Sequence, residues 1–115
     1  MDAATTRKLL GLLGLGARGR GAIIGVEQVR EAARRGKLVL AIAAPDASSN
    51  SLNKVLPLLR AREVPVFAAP SAKELGNAVG RDTTTVVGIV DRGLAKGIRA
   101  LSLSAMPDGR KEELG

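Results

Sequence analysis

The chain has 115 residues, 18 Lys and Arg against 11 Asp and Glu, and a formal charge of +7; its apolar residues, 45% of the total, are almost all aliphatic, with Phe67 the one aromatic. That length accommodates one domain with one core. With neither Cys nor His in the sequence, disulfides, thiolate nucleophiles, imidazole bases and the common zinc sites are excluded, which argues against hydrolytic or redox catalysis.

The positive balance fits the electrostatic footprint of a nucleic-acid binder. A basic protein kept soluble by its charge is the other reading of the same numbers. Single-strand binders that stack bases on aromatic platforms are set aside, so recognition would run through Arg, Lys, amides and backbone. Arg7 and Lys8 precede an apolar run, but Asp2 lies ahead of them and no small-residue cleavage site closes the run before Arg18, so no targeting signal is expected. The other apolar stretches are too short to span a membrane. A cytoplasmic location is expected, and the lack of cysteine suits a reducing compartment.

In chain order, "DAATTRKLLGLL" reads as a short first helix after its Thr-Thr start, with Leu9, Leu10, Leu12 and Leu13 as its apolar face. "GAIIG" at 21–25 reads as a short strand and "VEQVREAARR" at 26–35 as an amphipathic helix closed by Gly36. "KLVLAIAA" is an apolar run that suits a central strand buried on both faces. "DASSNS" is a loop able to cap the next helix, and "LNKVLPLLRARE" is that helix, in which Pro57 predicts a kink or an irregular first turn. "VPVFAA" is a short strand near an edge because of its proline, Ser71 and Glu74 form a capping box for a helix through Val79, and Gly80 ends it. "TTTVVGIVD" is the last strand, and Asp91 caps "RGLAKGIRAL". The domain is expected over residues 1–101, with 102–115 a disordered tail. Helices alternating with four short strands imply an α/β sandwich with helices on both faces of the sheet.

The stretch "GLGARGRGAIIG" holds five glycines and two arginines in twelve residues, with a G-x-G-x-x-G at Gly14, Gly16 and Gly19. A dinucleotide clamp needs a strand before this motif, a helix after it and an acidic residue about 20 positions on. The order is instead helix, then strand, and "KLVLAI" offers no carboxylate. The clamp reading fails.

The ordered segments "LGLGARGRGAIIGVEQVREAARRGKLVLAIAAPDASSN" and "VPVFAAPSAKELGNAVGRDTTTVVGIVDRGLAKGI" resemble the L-seven-Ae family of ribosomal and kink-turn RNA-binding proteins, and within it the small bacterial YlxQ-type branch. The resemblance runs from about Leu9 to Ile98. It implies a three-layer α/β/α sandwich around a mixed four-stranded sheet. It also implies an RNA surface at the start of the second helix, in the turn before it and in the loop before the last strand. On that reading the glycines admit a phosphate to the backbone, Arg18 and Arg20 neutralise it, and the amides of Val26 and Glu27 face it. The alternative is that Gly19, Gly21 and Gly25 merely serve tight turns.

Family members that bind kink-turns carry G-x-N-E-x-x-K, whose Asn, Glu and Lys read guanine edges in tandem sheared G·A pairs. Here Gly25 matches, but Glu27 stands at the Asn position, Gln28 at the Glu position and Glu31 at the Lys position. The last change reverses a charge near phosphate, a cost on the order of a kcal/mol or more. Arg30 or Arg34 could supply the missing cation, while Glu31 is placed for an ion pair with Arg34 or Arg35. "GRDTTT" at 80–85 offers a second contact surface or an ordinary loop.

The expected function is thus that of a monomeric RNA-binding protein of the ribosomal type, taking structured RNA, with ribosomal RNA and the ribosome as expected partners. The candidate RNA-binding residues are Arg18, Arg20, Gly25, Glu27, Gln28, Arg30 and Arg81, with Lys37 a lesser phosphate contact. No catalytic residue, metal, cofactor, membrane or small-molecule substrate is expected. Asp46 and Asp91 have no positioned base or metal cluster beside them in the sequence pattern. The rival reading is a protein-interaction module that kept the fold and lost the guanine-reading residues.

Overall fold

In the computed structural model, which describes residues 1–107, five helices and four strands alternate along the chain. They are α1 (Ala3–Arg18), β1 (Ala22–Ile24), α2 (Val26–Arg34), β2 (Leu40–Ala43), α3 (Ser49–Ala61), β3 (Val66–Ala68), α4 (Ala72–Ala78), β4 (Val86–Ile89) and α5 (Arg92–Arg99). Among the described residues no helix is long and apolar enough to cross a membrane.

The sheet order is β1-β4-β2-β3. β4 runs antiparallel to both β1 and β2, while β2 and β3 are parallel, so the sheet is mixed. Successive side chains of a strand point to opposite faces, and β2 uses this to feed two cores. Leu40, Ile42 and Ala44 pack with Val87, Ile89 and the buried Leu9, Leu13, Leu75, Ala95 and Ile98 beneath α1, α4 and α5. Ala41 and Ala43 pack with Val86, Val29, Ala33, Val55, Leu56 and Leu59 beneath α2 and α3. The molecule is a three-layer α/β/α sandwich with aliphatic cores. Each fully buried Leu, Ile or Val contributes about 1.5–3 kcal/mol, which is how a chain with one aromatic residue holds together.

Local sequence accounts for the helix starts. Asp2, Ser48, Ser71 and Asp91 accept hydrogen bonds from the amides of Thr5, Ser51, Glu74 and Leu94 at 2.7, 3.1, 3.0 and 2.7 Å, each satisfying one otherwise unpaired donor. Two elements differ from expectation. α1 does not stop at Leu13 but continues through Gly14 and Gly16 to Arg18. α3 begins earlier, at Ser49, with a regular Ser48 cap, and passes through Pro57 as one helix.

The third difference concerns the segment after α5, expected to be a free tail. Residues 102–107 lie along the outer edge of β3. Ala68 donates to the Ser104 carbonyl and Met106 to the Val66 carbonyl, both at 2.8 Å, with Phe67 opposite Ala105 in an antiparallel bridge. Arg60 clamps the segment by donating to the Pro107 carbonyl at 3.1 Å. An open strand edge exposes unpaired amides and carbonyls, and this segment satisfies those of β3. The remainder of the expected tail, 108–115, lies outside the described residues.

Strand directions give the sheet two distinct ends. At the α2 end, β1, β2 and β3 finish and β4 begins; at the α5 end the first three begin and β4 finishes.

Candidate nucleic-acid interface

Gly25 joins β1 to α2 with φ 96°, a backbone conformation that a side chain would strain, and its Cα faces open space. It occupies the N-cap position of α2 but offers no side chain, so α2 is the one helix among the described residues whose first amides receive no side-chain cap. Unpaired amides at the positive end of a helix form a ready anion site. Glu27 and Gln28, in the first turn, are exposed beside them.

The loop 80–85 stands next to this helix start. Gly25 donates to the Val86 carbonyl at 3.0 Å, which brings the α2 start against the first residue after the loop. The loop itself is tied to α4 by the backbone amide of Arg81 donating to the Gly76 carbonyl at 2.8 Å and that of Thr84 to the Ala72 carbonyl at 3.1 Å. Arg81, Asp82 and Thr83 are exposed on it. Ala44 donates to the Thr85 carbonyl at 2.8 Å, so the loop after β2 arrives at the same end. Pro45, Ser48, Ser49 and Asn50 are exposed there. In the sequence this stretch reads only as a cap, because its neighbourhood to Gly25 comes from the sheet order.

Not every sequence candidate joins this surface. Gly25, Glu27, Gln28 and Arg81 come together at the α2 end. Arg18 and Arg20 precede β1 and Lys37 precedes β2, so all three lie at the α5 end. Arg30 is half-buried and turned to α3, where its Nη1 donates to the Lys54 carbonyl at 2.6 Å. Glu31 holds Arg35 at 2.8 Å and Arg34 at 3.9 Å, the intrahelical pairing that its spacing predicts. The glycine-rich stretch is likewise divided. A Cβ at Gly14 would lie 3.0 Å from the Ala78 carbonyl of α4, and one at Gly16 would collide with Leu94 of α5 and reach 3.2 Å from the Cβ of Ala22. These two glycines let α1 approach its neighbours.

The sequence pattern of residues 7–98 matches the model of the ribosomal protein L7Ae/L30e/S12e/Gadd45 family. The chain belongs to this family. It is 32% identical over 90 residues to the RNA-binding protein YlxQ of Bacillus subtilis, covering 78% of this chain and 90% of that one. It is 34% identical over 101 residues to the RNA-binding protein YlxQ of Enterococcus faecium, covering 88% and 97%. Among solved structures, the Giardia lamblia 15.5kD RNA binding protein superposes with a TM-score of 0.72 at 25% identity, covering 87% of this chain and 86% of that one. Gly25, with φ 96°, precedes α2, and Glu27 and Gln28 are exposed in its first turn. Glu31 is engaged by two arginines of its own helix.

Proposed function

We propose that this protein binds structured RNA at the α2 end of its sheet, as a monomeric cytoplasmic factor whose target is ribosomal RNA containing a kink-turn-like element. The observation that carries the reading is the uncapped start of α2 beside the 80–85 loop, in a chain whose relatives in two bacteria are RNA-binding proteins. The amides of Val26 and Glu27 meet a phosphate, Arg81 neutralises its neighbour, and Glu27 and Gln28 offer acceptors to guanine N–H groups. Pro45 and Asn50 border the same surface. Arg30 lies outside it, held on Lys54.

One observation favours the interaction-module reading, namely that Glu27, Gln28 and Glu31 replace the family's Asn, Glu and Lys. A titration at fixed salt separates the two, comparing an RNA with intact tandem G·A pairs and a plain duplex. Glu27→Ala is expected to weaken the first complex by roughly 1–3 kcal/mol, since a guanine donor is left unpaired, and to leave the second nearly unchanged. Equal binding of both RNAs by the wild type, with Glu27→Ala harmless to both, removes base reading at α2. No binding of either RNA removes the proposal.

A further inference from the structure

Much of the positive charge lies away from the α2 end. On α5, Arg92, Lys96 and Arg99 are exposed at i, i+4 and i+7, one face of the helix, and span about 10 Å along its axis. With Leu38, Val39 and Ala95 they line an open groove of about 460 Å³. Val39 donates to the Ile89 carbonyl at 2.8 Å, which sets the lead-in to β2 beside the end of β4 and so beside the start of α5. Lys37, exposed, directly precedes Leu38 of that wall in the chain. Arg20 adjoins the helix start, because the Gly21 carbonyl accepts from Val90 at 2.9 Å and Asp91 at 3.4 Å.

Nothing among the described residues uses this charge. Among the described residues the ion pairs are those of Glu31 with Arg34 and Arg35, so Arg92, Lys96 and Arg99 have none. The acid nearest in sequence, Asp91, accepts from the Leu94 amide at 2.7 Å. Lys96 and Arg99 suit the negative end of the α5 dipole, but Arg92 is the first residue of the helix, where a cation opposes it. Like charges at i, i+3 and i+4 also disfavour a helix. An anionic partner removes both penalties, and a groove in which Leu38, Val39 and Ala95 lie beside a row of cations suits a chain of phosphates joined by sugars better than a compact anion.

We propose that the α5 groove is a second RNA seat, taking the phosphate backbone of a plain duplex segment through Arg92, Lys96 and Arg99, flanked by Arg20 and Lys37. It rests on the reading that the protein binds RNA, but on different residues at the other end of the sheet. The five residues from Arg20 to Gly25 carry the chain across at most about 17 Å, so the two seats are told apart by substituting the residues of each. Recognition at α5 is through charge, without base contacts.

The test is fluorescence anisotropy over a salt series with two probes, a plain RNA duplex of about 20 base pairs and a short RNA with tandem G·A pairs. The proteins are wild type, an α5 variant (Arg92→Gln, Lys96→Gln and Arg99→Gln together) and an α2-end variant (Glu27→Ala with Arg81→Ala). For the duplex, the α5 variant is expected to flatten the slope of log affinity against log salt by about 2 to 3 units, while the α2-end variant changes it by about one unit at most. Replacing Arg92 and Arg99 by Lys should restore the wild-type slope, because the seat reads charge. An α5 variant indistinguishable from wild type on the duplex overturns the second seat, as does wild type that binds the tandem G·A RNA and not the duplex. Duplex binding that depends on α5, with the α2-end variant harmless on the tandem G·A RNA, leaves the α5 seat standing and removes the α2 proposal. Arg92→Gln alone relieves the opposition to the dipole, so it should flatten the slope by about one unit at most without lowering the melting temperature, which separates lost binding from unfolding.

Discussion

Gly76 lies buried inside α4, and a Cβ there would stand 2.5, 2.6 and 2.8 Å from the Cα, C and N of Thr83. These are backbone atoms of the 80–85 loop, so the clash cannot be relieved by turning a side chain. In Gly76→Ala the loop must lift from α4. Backbone displacement by overpacking costs about 1–3 kcal/mol. The two hydrogen bonds that tie the loop to α4, Arg81 to the Gly76 carbonyl and Thr84 to the Ala72 carbonyl, add about 1 kcal/mol each if lost. Alanine returns about 1 kcal/mol through its higher helix propensity. The expected net loss is about 2–4 kcal/mol, which for a domain of this size lowers the melting temperature by about 8–17 °C. Calorimetry with urea denaturation measures it, and Gly11→Ala is the control. Gly11 also lies within a helix but has nothing within 4 Å of its Cβ direction, so that substitution should stabilise by up to about 1 kcal/mol. If Gly76→Ala is neutral, or stabilises as Gly11→Ala does, the loop is not seated on α4 and the α2-end surface loses its second wall.

Arg30→Ala should destabilise the fold by about 1–2 kcal/mol, through the lost bond to the Lys54 carbonyl and the lost packing of its stem, with the salt slope of RNA binding unchanged; a slope flattened by about one unit would place Arg30 on a phosphate instead. The Thr5 backbone amide donating to the Asp2 carboxylate, helped by the Thr5 side chain and the charge of Lys8, holds that carboxyl below its ordinary value of 3.8. The α1 cap therefore contributes stability that is fully present above 3.8 and lost as pH falls through the lower folded value. Asp2→Asn, which still caps, should remove this part of the acid dependence of thermal unfolding, and identical profiles for the two proteins would contradict the assignment.

What the sequence alone determined is what neighbouring residues settle among themselves. Ser71 and Asp91 reach amides three residues on, Glu31 reaches Arg35 one turn on, and "LVLAIAA" is apolar enough to be buried whichever strands flank it. The family resemblance carried the three-layer sandwich with its mixed sheet. Other features required the assembled sheet. A strand exchanges one end of the sheet for the other, so three residues of β1 suffice to part Arg18 and Arg20 from Gly25; that strand is legible in the sequence, but grouping the arginines with the glycine ignores its direction. Gly14 and Gly16 read as turn formers because nothing local announces that Ala78 and Leu94 will close on them. Residues 102–107 have no periodicity of their own, since their pairing partner is the edge of β3, about 40 positions earlier in the chain. Arg30 and Arg92 look equally cationic in the sequence. Only the packing of α3 against α2 ties up the first, and only the junction of α5 with the lead-in to β2 leaves the second facing an open groove, because charge is written in the residue while its partner is decided by which surfaces meet.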